Sequence, residues 1–443
     1  MDGAPLALNR MYSFARRTTR RALRVYYTQI EVHGADAMPP AGPVMVLANH
    51  HNGMVDPMLV VASSPRPVRF LARSGLFKIP LLGPLIRSMG AVEVFRSDDP
   101  GYVKSKNESV YGAVGDALAA GGVVGIFPEG HTHTNPWLEE FRHGAARMAL
   151  EAQAVRALEP GIAVQLVSIH FEGTRLYGGR VLITYAPPIT LESFRERYAR
   201  DPRSAVEALT AALHERLRNM LVEVQDAEQL QLAELVARFG VLEQEGRGLK
   251  GQVDHRQRLL DAYQRLRVED PVGTADVVRR LRRYQRFLDL LGLRDDHLVE
   301  DYHWARELAR ALGATVLLVL AAPVLVLGVL LNAVPYAAAR VLTVASRSEL
   351  QQSSGLLAGM LVFPLWYLLV AWFASDLGPA GLWVALVVAG PLAGWAATVW
   401  FARGRELVQA TWALWATLGL PRVRARLEAM RTEILSRIER LLA

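Results

Sequence analysis

A histidine and an aspartate with four residues between them have the chemistry of a general base and the partner that orients it. They lie in the run NHHNGMVDP, residues 49–57, where His51 is the only histidine followed by an aspartate, Asp56, five positions on. A histidine that removes a proton needs a group to hold its ring, and a carboxylate serves this purpose. The spacing alone is weak evidence, because with eleven histidines in the chain a chance match is expected roughly half the time.

Asp56 also has a structural interpretation. An aspartate followed by a proline, here Pro57, suits a helix start, with Asp as the N-cap and Pro at the first helical position. The two roles are compatible, because a capping aspartate at a strand-to-helix turn can still face His51. The chain offers no other obvious nucleophile, since it has no cysteine and no Gly-x-Ser-x-Gly elbow.

Short apolar runs alternate with helical stretches between residues 30 and 215, which predicts an α/β fold with a central mixed sheet flanked by helices. Most runs are rich in β-branched residues, as in strands that are covered on both faces. Strands are expected at 44–48, 68–72, 92–95, 123–127, 164–169 and 181–185, and helices at 57–63, 80–89, 105–120 and 141–158. The His51 run and the turn at 127–130 both follow strands, and open α/β sheets bind ligands at the carboxyl ends of their strands.

The composition suggests that apolar residues are segregated. The chain has 443 residues, of which 51% are hydrophobic and 21% charged, with a net charge of +7. This balance suits anionic lipid surfaces, phosphorylated substrates or nucleic acid, but no nucleic-acid motif is recognised and we expect no nucleic-acid partner. No apolar segment follows Met1 directly, so no secretory signal peptide is expected.

Three apolar stretches, 312–337, 355–375 and 379–402, are long enough for a hydrocarbon core, which needs roughly 20 helical residues. Their basic flanks predict that 355–402 forms a hairpin with its ends on the cytoplasmic side. The same rule suggests that 312–337 enters the bilayer and returns without crossing it. The flanking residues are Arg306, Arg310, Arg340, Arg347, Arg403 and Arg405.

The predicted organisation has five parts. They are a basic amphipathic interfacial helix (1–29), an α/β catalytic domain (30–215), a helical arm (216–310), membrane-embedded helices (311–405) and an amphipathic helical tail (406–443). The first helix suits an anionic bilayer surface, and the alternative is a helix packed on the following domain. The arm carries a cluster of five arginines within 279–286, which indicates either headgroup contact or a solvated helix face.

Four local signals follow one another in the predicted α/β domain, at 49–57, 90–96, 127–130 and 167–189. In order and spacing they resemble the glycerophospholipid acyltransferase family, whose members acylate glycerol-3-phosphate or lysophosphatidic acid. The resemblance covers about residues 20–215. Each signal alone is unspecific, but the combination is highly specific.

The resemblance implies roles for individual residues. His51 would be the general base for the acceptor hydroxyl, Asp56 would orient it, and Arg96 would bind the acceptor phosphate. The hydroxyl would attack an acyl thioester directly, without an acyl-enzyme. Glu129 and Gly130 would shape the acceptor site, and the substrate-binding positions also include Gly90 and Asn49. No cofactor or metal is expected, because acyl-CoA or acyl carrier protein would be the donor substrate.

The sequence departs from the family pattern in two places. The triplet after the Phe-Pro-Glu-Gly turn is His131-Thr132-His133 in place of Thr-Arg-Ser, which is similar to the fungal glycerol-3-phosphate branch and its bacterial relatives. Val-Ser-Ile at 167–169 stands where Val-Pro-Val is usual. The acceptor therefore stays open. A metal site at these histidines and His143 lacks a carboxylate at tight spacing, and His50 is interpreted as a neighbour of His51.

The expectation for the whole chain is an integral membrane O-acyltransferase of phospholipid biosynthesis, with its catalytic domain on the cytoplasmic face. Its partners would be a phospholipid membrane, an acyl thioester donor and a glycerol phosphate or lysophospholipid acceptor. One alternative is an enzyme that remodels another lysolipid. A second is a non-catalytic lipid-binding membrane module, against which the intact His51, Asp56, Arg96 and Glu129 argue.

Overall fold

The chain forms two compact units. The first comprises Met1–Glu223 with Thr343–Leu357, and the second comprises Val224–Leu342 with Ala358–Ala443. The structure is a computed structural model. It describes residues 10–79, 82–95, 104–133, 135, 137–156, 158–159, 161–172, 178–221, 248–293, 295–298, 304–345, 351–377, 382–419 and 421–442.

The first unit is built on an eight-stranded mixed sheet. The strands are β1 (Gln29–His33), β2 (Val44–Ala48), β3 (Val68–Arg73), β4 (Val92–Val94), β5 (Val123–Ile126), β6 (Ala163–Glu172), β7 (Arg180–Tyr185) and β8 (Ile189–Thr190). Their spatial order is β1-β7-β6-β2-β5-β3-β4, with β8 paired to β6. The pairs of β6 with β7 and β8 are antiparallel and the others are parallel. The predicted α/β class and its six predicted strands are confirmed.

Helices cover this sheet because its central strands are apolar on both faces. They are α1 (Arg10–Tyr26), α2 (Val55–Ser63), α3 (Leu82–Ser88), α4 (Lys104–Ala119), α5 (Gly144–Arg156), α6 (Glu192–Arg200) and α7 (Pro202–Arg218), with short 3-10 turns at Ala35–Ala37 and Ser74–Lys78. Every residue of β2 is buried. Met45 and Leu47 pack in one core with α4, α5 and α7. Val44 and Val46 point to the opposite face, because side chains alternate along a strand, and α2 contacts β3 and β7.

The basic first helix, α1, packs on the sheet domain through one face. Tyr12 and Leu23 are buried on that face, and the Tyr12 hydroxyl accepts a hydrogen bond from the Val68 backbone N–H at 2.9 Å. Arg20 donates to the Ala62 carbonyl at 2.7 Å, and Arg16 donates to that of Ser64. These guanidinium groups therefore satisfy carbonyls at the C-terminal end of α2. The rest of its surface exposes arginines together with Met11, Phe14 and Val25, and its contact with a bilayer stays a prediction.

The second unit is helical in the part that the structure describes. Its helices are α8 (Leu249–Glu269), α9 (Pro271–Leu291), α10 (Trp304–Ala345), α11 (Gln351–Leu377), α12 (Leu382–Gly419) and α13 (Pro421–Leu442), with the end of α10 and the start of α11 belonging to the first unit. A 3-10 turn lies at Asp295–Leu298. Three segments are long and apolar enough to cross a membrane, Leu312–Val344, Ala358–Ser375 and Val384–Phe401.

Helices α10 and α12 run in opposite directions where they pack together. The Trp400 indole donates to the Leu318 carbonyl at 2.8 Å, and the Asn332 amide donates to the Gly390 carbonyl at 3.2 Å. As residue numbers rise along α10, they fall along α12. Helix α10 is continuous through Pro323 and Pro335, and the expectation that 312–337 re-enters the bilayer stays a prediction.

Helices α9 and α13 pack against each other, although α9 precedes the apolar helices in the sequence and α13 follows them. Leu281 and Leu288 of α9 share a buried core with Leu427 and Ile434 of α13. Two ion pairs join the same helices, Arg280 to Glu433 at 2.8 Å and Arg437 to Asp276 at 2.9 Å. A third, Arg431 to Asp295 at 3.1 Å, joins α13 to the 3-10 turn that follows α9. The pairing is thus both apolar and electrostatic.

Candidate active site

The candidate site lies where two neighbouring parallel strands end. Leu47 of β2 is in register with Ile126 of β5. The residues that follow, 49–56 after β2 and 127–133 after β5, therefore leave the sheet at the same edge. This is the edge at which the polar residues of both sequence motifs meet.

His50 and Asp56 form the central pair of this site. The His50 Nδ1 atom lies 3.0 Å from Asp56 Oδ2. The Asp56 side chain is fully buried, and that of His50 is 16% exposed. A buried carboxylate next to Nδ1 accepts its proton and leaves the lone pair on Nε2. The ring thus has the orientation and the tautomer of a general base.

Asp56 is held by the first turn of α2. Its Oδ2 atom also accepts the backbone N–H of Asn52 at 2.7 Å, so the carboxylate closes the turn that leads into the helix. The N-terminus of a helix favours a negative charge because its backbone N–H groups lack partners. Helix α2 begins at Val55, with Met54 as its N-cap and no side-chain cap hydrogen bond. The expected N-cap role of Asp56, with Pro57 as the first helical residue, is therefore wrong, and Asp56 lies within the first turn.

The His50 ring is fixed on its other sides by the loop that follows β5. It stacks on the Phe127 ring at a centroid distance of 4.0 Å and an angle of 13°. The Thr132 Oγ1 atom lies 2.9 Å from Nε2, where the hydroxyl donates to the lone pair. The backbone N–H of His50 donates to Glu129 Oε1 at 2.6 Å. A Thr132–His50–Asp56 chain of hydrogen bonds results.

The expected pairing of His51 with Asp56 is wrong. The His51 Nδ1 atom accepts from the Asn49 amide at 2.8 Å, and its ring meets the His133 ring edge-on at 4.7 Å. The second oxygen of Asp56, Oδ1, makes no hydrogen bond within the described residues. The reason is geometric: as the chain leaves β2, consecutive side chains point in different directions, and only the His50 ring turns toward α2.

Asn49, expected at the substrate-binding site, ties two strands together. Its Oδ1 atom accepts from the Ile169 N–H at 2.8 Å, and its amide donates to the Ile169 carbonyl at 2.9 Å and to His51. The side chain is fully buried. Asn49 therefore holds the end of β2 against β6 and positions His51, with no surface left for a substrate.

Glu129 links three chain segments through one buried carboxylate. Oε1 accepts from the His50 backbone, and Oε2 accepts from His133 and from the Glu139 N–H at 3.3 Å. Burial raises the pKa of Glu129, but the His133 hydrogen bond, the electrostatic influence of the His51 and His133 rings and the His50 N–H together lower it below its ordinary value. Glu129 is thus an anion that shapes the loop beside His50.

Two glycines of the sequence motifs have left-handed backbones. Gly130 has φ +76°, and a Cβ there would lie 2.7 Å from the Arg142 Cδ atom. Gly90 has φ +74° and donates its N–H to the Arg87 carbonyl at 2.9 Å. Both therefore require glycine for conformational reasons. The expected phosphate ligand, Arg96, lies outside the described residues.

Histidines 131 and 133 each face a glutamate. His131 Nε2 lies 2.7 Å from Glu139 Oε2, and His133 contacts Glu129. His143 instead contacts Thr210 at 3.2 Å. Within the described ranges, no group of three or more His, Cys, Asp or Glu side chains has an arrangement that could hold a metal ion.

A cavity of about 410 Å³ lies away from this site. Its lining includes Ile189, Phe194 and Leu213. Ile189 pairs with Val164 on β6, which is in register with Met45 at the start of β2. The cavity therefore lies toward the opposite end of β2 from His50, and we assign it no part in the chemistry.

Sequence reasoning missed two functional candidates, His50 and Thr132. His50 precedes His51 directly, but the sequence analysis favoured His51 because Asp56 lies five positions after it. The Thr132-His133 pair was noted as a departure from the family pattern without a role. The contacts of the His50 ring with Asp56 and with Thr132 depend on how the loops after β2 and β5 fold together, which the sequence does not give.

Comparison with known proteins shows what this part of the chain is similar to. A family model described as Acyltransferase matches residues 29–170, a range that contains His50, Asp56, Glu129 and Thr132. Glycerol-3-phosphate O-acyltransferase 2 of Saccharomyces cerevisiae is 28% identical over 200 residues, which are 44% of this chain and 26% of that protein.

A 1-acyl-sn-glycerol-3-phosphate acyltransferase of Borreliella burgdorferi is 28% identical over 123 residues, 28% of this chain and 47% of its own. The chain thus spans less than half the length of these curated relatives. The crystal structure of the 1-acyl-sn-glycerophosphate acyltransferase PlsC from Thermotoga maritima aligns with a TM-score of 0.36 and 20% identity, covering 46% of this chain and 79% of that one.

Proposed function

We propose that this chain, in which a family model described as Acyltransferase matches residues 29–170, transfers a fatty acyl group from an acyl thioester to a hydroxyl of a glycerol phosphate acceptor. The acceptor is lysophosphatidic acid or glycerol-3-phosphate, and the donor is acyl-CoA or acyl carrier protein. The observation that carries the proposal is His50, bound to a buried carboxylate through Nδ1 and to a hydroxyl through Nε2.

The reaction needs a base because an alcohol is a poor nucleophile at neutral pH. The acceptor hydroxyl takes the position of the Thr132 hydroxyl and gives its proton to Nε2 of His50. Its oxygen forms a bond to the thioester carbonyl carbon, the carbon–sulfur bond breaks, and the leaving thiolate takes the proton from the imidazolium. A base in this position contributes roughly 100- to 10,000-fold to the rate.

Asp56 supports the base in two ways. Its acceptance of the Nδ1 proton fixes the tautomer, and its negative charge stabilises the imidazolium that forms when the acceptor loses its proton. The carboxylate is fully buried, where a charge interaction is screened less than in water. Asp56 is therefore a positioning residue, and His50 is the group that touches the reacting hydroxyl.

Arg96 is the proposed ligand of the acceptor phosphate. An arginine binds phosphate through two parallel N–H groups, which gives orientation as well as charge. In the sequence Arg96 lies two residues after the end of β4. The proposal for this residue is supported by the family resemblance of the 90–96 motif.

The proposed setting is a membrane, with the catalytic domain on its cytoplasmic face. Three helices are long and apolar enough to cross a bilayer. Moving a long acyl chain into water would cost on the order of 10 kcal/mol at ~0.8 kcal/mol per methylene. An enzyme anchored at the bilayer avoids most of this cost.

The direct test is acyl transfer by the purified full chain in detergent. Labelled acyl-CoA and acyl carrier protein are supplied as donors, with glycerol-3-phosphate or lysophosphatidic acid as the acceptor. We expect product from at least one acceptor and a loss of 100-fold or more in Asp56→Asn, which keeps the side-chain size but removes the charge. Thr398→Val, whose hydroxyl bonds only to its own helix, is the control. A monodisperse protein without product from any pair would refute the proposal.

A further inference from the structure

A cationic surface lies where α9 packs against α13. The guanidinium groups of Arg283 and Arg426 each lie 5.9 Å from the centroid of the Phe287 ring. They come from different helices, one before and one after the apolar segments in the sequence. Phe287 thus brings two positive charges to one place through cation–π contacts.

Two groups of arginines on these helices differ in their partners. Those of the first group have carboxylate partners: Arg280 contacts Asp276 and Glu433, Arg431 contacts Asp295, and Arg437 contacts Asp276. The second group is exposed and, within the described part of the chain, has no carboxylate within 4.0 Å. Its members, which we call the arginine surface, are Arg283, Arg286, Arg422 and Arg426.

The local sequence leaves this surface with a net positive charge. Between residues 277 and 294 the single acidic residue is Asp289, and none occurs between 421 and 427. Asp289 accepts a hydrogen bond from Gln285 at 3.0 Å. The four guanidinium groups therefore outnumber the nearby carboxylates, and a bound anion would offset their mutual repulsion.

The arginine surface adjoins the end of an apolar helix. The Trp412 indole of α12 donates to the carbonyl of Leu291, the last residue of α9. Helix α12 carries the apolar segment Val384–Phe401. Tryptophan is enriched at the membrane–water boundary because its ring is amphipathic. Trp412 is 47% exposed and the neighbouring Leu290 is 80% exposed, so the junction has the character of an interfacial segment.

We infer that the arginine surface binds anionic phospholipid headgroups of the bilayer that holds the apolar helices. Guanidinium groups bind phosphate through paired N–H donors, and clustered basic residues next to membrane segments are attracted to anionic leaflets. The inference is independent of the proposed acyl transfer, because the surface belongs to the second unit and contains no residue of the candidate active site.

The test is binding of short-chain phosphatidylglycerol to the purified full chain in a nonionic detergent. Phosphatidylglycerol is the anionic probe because it is neither acceptor nor product of the proposed reaction. Short-chain phosphatidylcholine and inorganic phosphate are the comparison ligands. We expect phosphatidylglycerol to bind at least tenfold more tightly than either, and its affinity to fall as salt is raised.

Two double variants locate the site. Arg283→Gln with Arg426→Gln removes the pair at Phe287, and Arg286→Gln with Arg422→Gln removes two charges but keeps both arginines of that pair. We expect each to weaken phosphatidylglycerol binding roughly tenfold or more. Arg258→Gln with Arg267→Gln, two exposed positions of α8, is the charge-matched control and should change it less than twofold. An equal loss in the control, unchanged binding in both site variants, or equal binding of inorganic phosphate would overturn the inference.

Discussion

At the scale of single residues, Glu129 is the group whose charge organises the site. Its pKa lies below the ordinary value of 4.5, with burial opposed by the His133 hydrogen bond and the electrostatic influence of the His51 and His133 rings. A lowered folded-state pKa means that the anion stabilises the fold above the unfolded pKa, and that this stabilisation is lost as pH falls through the folded value.

We therefore predict that Glu129→Gln lowers the unfolding free energy at pH 7 by on the order of 2 kcal/mol. The difference from wild type should shrink as the pH is taken from 7 to below 4.5. Thermal unfolding in detergent at both pH values measures this. Glu140→Gln, an exposed position on the same loop, should show no such dependence. A difference for Glu129→Gln that is constant with pH would show that the charge is not the stabilising element.

Thr132 contacts the proposed base but should not itself be acylated. Its hydroxyl is hydrogen-bonded to Nε2 of His50, and in the proposed reaction the acceptor hydroxyl replaces it there. Thr132→Val should therefore lower transfer by about tenfold or less, the worth of one neutral hydrogen bond, and Thr132→Ser should be nearly unchanged. Transfer rates and intact-protein mass spectrometry during turnover measure this. A loss above 1,000-fold in Thr132→Val, with an acylated wild-type protein, would instead identify Thr132 as a nucleophile.

The residue scale also shows what the sequence could predict about the site. The motif around Asp56 and the Glu129 turn were located correctly next to each other, because both follow strands that pair in the sheet. The histidine that contacts Asp56 was predicted wrongly, His51 in place of His50, because spacing along a chain does not give the direction of a side chain in a loop. The sequence shows only that Asn49 is polar. The fold shows that its amide nitrogen and oxygen both hydrogen-bond the backbone of β6.

At the level of secondary-structure elements, the apolar strands could be predicted from the sequence, whereas the polar edge strand β1 and the two-residue strand β8 could not. The core strands β2 and β5 are continuous apolar runs that were correctly located. Strand β1 has the sequence QIEVH and lies at the sheet edge with only partial burial. Strand β8 has two residues. Neither has an apolar pattern long enough to be distinguished from a loop.

Within the second unit, Asn332 is a polar link between apolar helices. Its amide donates to the Gly328 and Gly390 carbonyls at 2.8 and 3.2 Å, and its oxygen accepts from the Tyr367 hydroxyl at 2.7 Å. One side chain thus joins α10, α11 and α12. Hydrogen bonds between apolar helices contribute about 0.6 to 2 kcal/mol.

We predict that Asn332→Leu, which keeps the side-chain shape but removes its polar atoms, lowers the melting temperature in detergent. Tyr367→Phe should have a smaller effect, because it removes one of the three hydrogen bonds. Thr398→Val removes a hydroxyl that bonds only to Trp395 of its own helix and should have none. Equal melting temperatures for Asn332→Leu and Thr398→Val would show that the link does not hold the helices together.

At the scale of the whole molecule, the α9–α13 pair constrains how the chain passes through a membrane. Helix α9 precedes the three apolar helices and α13 follows them, yet they share a core and two ion pairs. They must therefore lie on the same side of a bilayer. The opposite directions of α10 and α12 agree with this, since three successive straight crossings would make the first and third helices parallel. We expect an even number of crossings.

The chain has no cysteine, so single cysteines can report the side of the membrane. Val272→Cys on α9 and Thr432→Cys on α13 are exposed positions, and a membrane-impermeant maleimide should label both from the same side. Ala345→Cys, at the end of α10, tests the expected re-entry of 312–337 and should also label from that side. Labelling of Val272→Cys and Thr432→Cys from opposite sides would contradict an even number of crossings.

The central claim is that His50, not His51, is the base. The measurement that tests it most directly is acyl transfer by His50→Asn and His51→Asn in parallel, with melting temperatures to confirm that both fold. The contacts of His50 with Asp56 and Thr132 predict that His50→Asn loses 100- to 10,000-fold of the activity. His51→Asn should stay within about tenfold of wild type, because it loses only a structural hydrogen bond. An active His50→Asn beside an inactive, folded His51→Asn would contradict the account.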